Sequence, residues 1–304
     1  MRRPDPRDLY ELEPDRPDLG GPVLVQALDG FLDAGSATKL ARAHLLASFD
    51  SKVVVRFDVD QLHDYRARRP PMLFVEDHWE SYEDPELAIH LLHDEAGTPF
   101  LLLAGPEPDV QWERFIEAVQ LVITQLGVRL VVGLNAIPMS LPHTRPVGVI
   151  THGSRKELLR GAEPWVGTVT VPASAGHLLE HRLGQAGLDA VGFAAHVPHY
   201  VAQAEFPAAA AALVREVGAV TGLVLPTKAL DEAAAQTRLA IDEQVAQSTD
   251  VQAVVAALEE QYDSFVAGRG RSLLAGDTPM PSADELGAEL ERFLAEQPHR
   301  GDGL

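Results

Sequence analysis

Three polar side chains of different chemistry stand in a row at His143, Thr144 and Arg145. Pro142 and Pro146 bracket them and Pro138 precedes them, which stiffens the loop. Just upstream, Leu130-Val-Val-Gly-Leu134 reads as a fully buried strand, and Asn135 follows it. Open α/β sheets place ligand and partner contacts on loops that leave the carboxyl ends of strands. A guanidinium suits carboxylate or phosphate, so Arg145 is the chain's best candidate for holding an anion. The competing role is a structural ion pair with one of the many acidic side chains.

Other segments offer chemistry more weakly. His177-Leu-Leu-Glu-His181 matches the inverted zinc-hydrolase pattern, but no third ligand is identifiable, and Leu178, Leu179 and Leu183 fit an ordinary amphipathic helix. Pro172-Ala-Ser-Ala-Gly176 resembles a nucleophile elbow with Pro172 in place of its first glycine. Ser174 serves there equally as a helix N-cap. His196 and His199 flank Pro198, a spacing that suits capping and packing or a binding loop. His90 and His93 fall on a predicted surface helix. Glu107, Asp109, Trp112 and Glu113 sit where a strand passes into a helix, so the carboxylates either steady the helix dipole or do acid–base work. The turn Asp29-Gly-Phe-Leu-Asp-Ala-Gly35 could bind an anion at a helix N-terminus, but Asp29 and Asp33 oppose it by charge. There is no dinucleotide fingerprint and no phosphate-loop lysine. No catalytic set, cofactor site or metal site is therefore expected. The candidate residues are those of binding or assembly loops: Asp29, Asp33, Glu107, Asp109, Asn135, His143, Thr144, Arg145, His196 and His199.

The elements that must position these loops alternate between strand and helix. Apolar runs predict strands at 23–28, 53–57, 72–75, 100–104, 130–134, 147–150, 168–171 and 190–195. Helices are predicted through about residue 49, over 85–95, from Trp112 to Leu126, after Ser174, and over 207–221. The second of the long ones carries Phe115, Ile116, Val119, Val122 and Ile123 at a 3.6-residue period. Residues 1–20 read as an extended, proline-rich lead-in anchored by Leu9, Tyr10 and Leu12. Residues 21–226 then form a three-layer α/β/α sandwich with a mostly parallel or mixed sheet, phosphorylase- or hydrolase-like. Residues 227–304 read as an all-helical appendix with a short disordered tail. Its helices span 230–247, a stretch capped by Asp250, and a last one opened by Ser282 and Glu285.

Composition bounds the partners. With 45 acidic against 25 basic side chains the net charge is −20, which disfavours nucleic acid and anionic membrane. There is no cysteine, so disulfides and thiolate chemistry are excluded. No apolar run approaches the roughly 18 residues of a membrane span, and no leader-like segment is evident, so a cytoplasmic protein is expected.

Six segments in order resemble the proteasome-assembly-chaperone (PAC2-type) family in its actinobacterial form. They are Asp29–Gly35, Arg69-Pro70, Gly105-Pro-Glu-Pro-Asp109 with Trp112 and Phe115, Pro142–Pro146, His196–Tyr200, and Pro281–Leu286 with Glu291–Leu294. The resemblance spans about residues 8–296. It implies an α/β/α domain similar to nucleoside phosphorylases, a helical segment after it, homo-oligomers (trimers among them) and proteasome-related partners. Some relatives dock through a C-terminal tail carrying a tyrosine. This chain ends Gly301-Asp-Gly-Leu304, without that tyrosine, which leaves tail docking open. The sequence thus points to a homo-oligomeric, chaperone-like interaction module without established catalysis. The alternative is an enzyme on a phosphorylase-like scaffold that binds an anionic small molecule near Arg145.

Overall fold

The computed structural model describes residues 4–14, 18–159 and 167–268. Its centre is four parallel strands: β2 (Val23–Asp29), β7 (Pro99–Pro106), β8 (Leu130–Met139) and β10 (Ala190–Pro198). They lie side by side in the order β7-β2-β8-β10. Antiparallel strands extend both edges. On one side are β1 (Tyr10–Leu12), β3 (Lys52–Phe57) and β6 (Ala88–His93), and on the other is β9 (Val149–Gly153). The eight strands run β1-β3-β6-β7-β2-β8-β10-β9. The proline-rich lead-in thereby supplies an edge strand, and Leu9 is fully buried beneath it.

Each face of the sheet is covered by helices, which explains the near-continuous apolar character of the central strands. On one face α1 (Ala37–Ser48) and α4 (Pro207–Thr221) pack against Val25, Phe100, Leu102 and Val132. On the other α2 (Trp112–Leu126) and α3 (Ala175–Gln185) pack against Leu24, Leu101, Leu103 and Val131. The predicted stripe of α2 is its buried face: Phe115, Ile116, Val119, Val122 and Ile123 are all in the core. The result is the three-layer α/β/α sandwich with a mixed sheet. The helical segment beyond it begins with α5 (Lys228–Ala246), which adds Leu230 and Ile241 to the α1/α4 core, and continues with α6 (Thr249–Gly268).

Two expectations are corrected. The segment predicted as a helix over 85–95 is β6, inserted between β3 and β7 with antiparallel pairing on both sides. Because both faces of this strand are covered, its apolar residues lose the strict alternation that marks a half-exposed strand. His90 is consequently not a solvated helix residue. Its Nδ1 is buried without a partner among the described residues, and burial lowers its pKa. The strand predicted at 168–171 is an exposed segment outside the ladders, with Val169 and Val171 more than half exposed. The helix predicted from Ser282 and the chain end at Leu304 lie outside the described residues.

Between β3 and β6 the chain leaves the sheet as a hairpin of its own, β4 (Met72–Val75) paired with β5 (His78–Tyr82).

Candidate functional site

The four parallel strands end at one edge, so the loops after β2, β7, β8 and β10 converge there, as the sequence anticipated. A cavity of about 160 Å³ opens at this edge beneath α3. Its floor is one row of residues paired across four strands. Gln26 on β2 pairs with Gly133 on β8, Gly133 with Gly192 on β10, and Gly192 with His152 on β9. Residues opposite one another in register point to the same face. Two glycines in adjacent strands therefore leave a trough into which polar side chains reach, Gln26 over Gly133 and His152 with Glu180 over Gly192. A Cβ on Gly192 would lie 2.1 Å from His152 Cε1 and 2.6 Å from Glu180 Oε2. On α3 above, Gly176 makes the matching allowance, since a Cβ there would lie 2.9 Å from the Gln26 amide nitrogen.

Polar groups line this trough. His152 Nδ1 sits 2.9 Å from a Glu180 carboxylate oxygen. Asn135 is oriented by its Oδ1, which accepts from the Ala136 amide at 2.8 Å, so its Nδ2 faces His177 Nε2 at 3.3 Å. That nitrogen accepts, and His177 is neutral. Its pKa is lowered first by burial and second by the neighbouring His152. Gln26 is only 6% exposed. Among the described residues its amide has no hydrogen-bond partner. Glu107 is buried to a similar degree and accepts the backbone N–H of Ala175 at the start of α3. Burial raises its pKa, opposed by the Ala175 and Phe31 amides and the charge of Arg68.

Asp33 plays the equivalent part on α1. Its carboxylate accepts the Thr38 and Lys39 amides at 2.8 and 3.0 Å. Both helix N-termini at this edge thus carry a carboxylate of the protein itself, where an anionic ligand would otherwise be favoured. Asp29 and Asp109 are also occupied. Asp29 pairs with Arg42 at 2.8 Å, and Asp109 with Arg68 at 2.7 Å. Burial works to raise the pKa of Asp109, but Arg68 and the Asp64 amide outweigh it and hold it low.

The loop after β8 does something different. His143 has its side chain almost fully enclosed, with Nε2 at 2.9 Å from Asp242 on α5 and Nδ1 at 2.7 Å from the Tyr200 hydroxyl. The carboxylate can only accept, so Nε2 carries the proton and Nδ1 accepts from the tyrosine. Thr144 donates to Glu259. Arg145 grips Asp263 with two hydrogen bonds of 2.8 and 2.6 Å and reaches Glu259 at 3.1 Å. Three consecutive residues therefore clamp α5 and α6 onto the sheet. The guanidinium that the sequence offers to an anion is matched by two carboxylates. Arg145→Ala should accelerate amide hydrogen exchange in α6 while leaving the central strands protected. Unchanged α6 protection would show that the clamp does not hold the helix.

Comparison with known proteins places this geometry. The model of the PAC2 family matches residues 27–245. The chain belongs to the PAC2 family. A Mycobacterium tuberculosis protein of unknown function, Rv2714, shares 49% identity and a TM-score of 0.83, over 88% of this chain and 94% of that one. A second M. tuberculosis protein, the proteasome-assembly-chaperone homologue Rv2125, shares 30% identity and a TM-score of 0.71, over 77% and 99%. Pyrococcus furiosus PbaB, an archaeal proteasome activator, is 15% identical with a TM-score of 0.56 over 77% and 98%, a likeness of fold. No curated protein matches.

Within this PAC2 fold the sequence candidates separate. Glu107 and Asn135 meet in the cavity. His143, Thr144 and Arg145 form the clamp. His196 and His199 are half-buried imidazoles, each with one buried nitrogen that has no partner among the described residues. Burial depresses His196 to about 4, and it also lowers His199, against the hydrogen bond His199 donates to the Met139 backbone carbonyl. Ser174 caps α3, its Oγ accepting the His177 amide at 3.1 Å. The zinc-like pattern is split: His177 and Glu180 face the cavity, while His181 is exposed and lies 3.1 Å from Gln185. Among the described residues no three ligand-type side chains converge as a metal would require. Gln26, His152 and Glu180 escaped the sequence candidates. The signal for the first was available, as the one polar residue inside Val23–Leu28. No helix among the described residues is long and apolar enough to cross a membrane.

Proposed function

We propose that this PAC2-family chain is a homo-oligomeric, chaperone-like interaction module whose contact arm is the β4–β5 hairpin. One observation carries the reading. Met72, Leu73, Phe74, Trp79 and Tyr82 stand on the hairpin with 45–62% of their surface exposed. Phe74 and Trp79 pack edge to face, 5.0 Å between centroids, with no further layer over them among the described residues. Isolated two-stranded hairpins are marginal in water, and clustered exposed apolar side chains mark interaction sites. The same chain carries a second apolar surface, Leu239 on α5 with Val251, Val254 and Val266 on α6, each exposed by 43–64%. An arm on one copy set against the helices of the next is a heterologous contact, the kind that closes into a ring. Relatives named as a proteasome-assembly-chaperone homologue and a proteasome activator support assembly-related partners for the finished oligomer.

Sedimentation velocity tests this directly. The wild-type chain should sediment as a discrete oligomer at micromolar concentration. Phe74→Ser with Trp79→Ser should give a folded monomer, and so should Val251→Asp with Val254→Asp. A wild-type chain that stays monomeric across that range would overturn the reading.

A further inference from the structure

We propose that the cavity under α3 binds a small organic ammonium ion whose apolar body is about the size of one ring. A glutamine in the middle of a central strand, 6% exposed and making no hydrogen bond among the described residues, leaves its amide free to meet a group in the cavity it lines. Gly133 and Gly176 give that amide its room, since a Cβ on either would lie within 3.3 Å of it, and Gln26 lines the cavity together with Asn135 and His177.

Charge decides the class of ligand. The lining holds two carboxylates, Glu107 and Glu180, and no lysine or arginine. His152, paired with Glu180, supplies at most one positive charge, and His177 is kept neutral by burial and by the neighbouring His152. The N-terminus of α3 would favour an anion, but Glu107 already occupies it. A phosphate or carboxylate ligand would meet uncompensated negative charge, whereas an ammonium meets Glu107, Glu180 and the carbonyl of Gln26. The remaining wall is apolar, including Leu28, Phe31, Ile137 and Phe193, and about 160 Å³ accommodates a single ring.

Three probes of one shape and different charge test the assignment on the full chain by titration calorimetry and ligand-observed NMR. Benzylamine, protonated at neutral pH, should bind saturably with one site per chain. Benzyl alcohol should bind at least tenfold more weakly, and benzoate should not bind. Gln26→Leu and Glu180→Gln should each weaken benzylamine at least tenfold while retaining the wild-type melting profile. Glu107→Gln should do the same if it folds, since it also holds the start of α3. No saturable binding of benzylamine, equal binding of benzoate, or full affinity in folded Gln26→Leu and Glu180→Gln variants would each overturn the proposal. The wild-type charge series stands whether or not any variant folds.

Discussion

Gly105→Ala is expected to lose about 2–6 kcal/mol of stability, from backbone strain of roughly 1–3 and overpacking of roughly 1–3. Gly105 has φ +127°, a conformation L side chains rarely adopt. A Cβ there would lie 2.2 Å from the carbonyl oxygen of Glu86 and 2.8 Å from Leu87 Cα. Both are backbone atoms of the segment leading into β6, and they cannot swing aside as a side-chain tip would. Relief requires β6 and β7 to part at the carboxyl edge, where Gly105 also pairs with Leu28 of β2. Glu107 lies two residues on, so the damage reaches the start of α3. Gly97→Ala is the control: its φ is +79°, but nothing lies within 4 Å of the added carbon. It should cost only the conformational part, about 1–2 kcal/mol. Urea denaturation of the two variants separates the effects. Equal midpoint shifts would mean that the contact with Glu86 is harmless.

That close approach also illustrates what the sequence could and could not reveal. The buried runs Leu101–Leu103 and Leu130–Leu134 mark central parallel strands because both of their faces are covered, and the α2 stripe shows its period without help from any partner. Such signals are local. β6 is not legible from its own residues because Ala88–Leu92 owes its extended form to strands on either side. The cavity is hidden for a related reason. Gln26, Gly133, Gly192 and His152 come from four separated strands and become one row only through register. The pattern at His177 pointed to two residues that do line the site, yet for metal chemistry that the turn of the helix away from His181 does not assemble. Arg145 is marked in the sequence by its place between Thr144 and Pro146. Whether its partner is an ion pair or a ligand depends on Glu259 and Asp263, more than a hundred residues further on.

The clamp at Arg145 is the second of two anchors for the helical segment, and the first should have the larger energetic effect. At the amino edge, Asp94 in the turn between β6 and β7 accepts the Val224 amide at 2.7 Å, Thr98 at 2.7 Å and Ala96 at 3.0 Å. Val224 lies where the chain leaves α4 for α5, and His44 at the end of α1 meets the Pro226 carbonyl 2.6 Å away beside it. α5 then runs to the opposite edge, where Asp242 meets His143. Asp94 is 5% exposed, so Asp94→Ala leaves three amides without their acceptor. At about 1–3 kcal/mol for an unsatisfied buried group, with water reaching some of them, a loss of roughly 2–5 kcal/mol is expected. The pH dependence carries a definite sign. Burial works to raise the pKa of Asp94, but the three amides prevail and hold it below the ordinary carboxylate value. A depressed folded-state pKa contributes stability that is fully present above the unfolded value of about 4 and fades as pH falls through the folded one. Wild type should therefore lose stability between pH 4 and the folded pKa by more than Asp94→Ala does. Parallel acid-side denaturation curves for the two proteins would show that this carboxylate does not fasten α5 to the sheet.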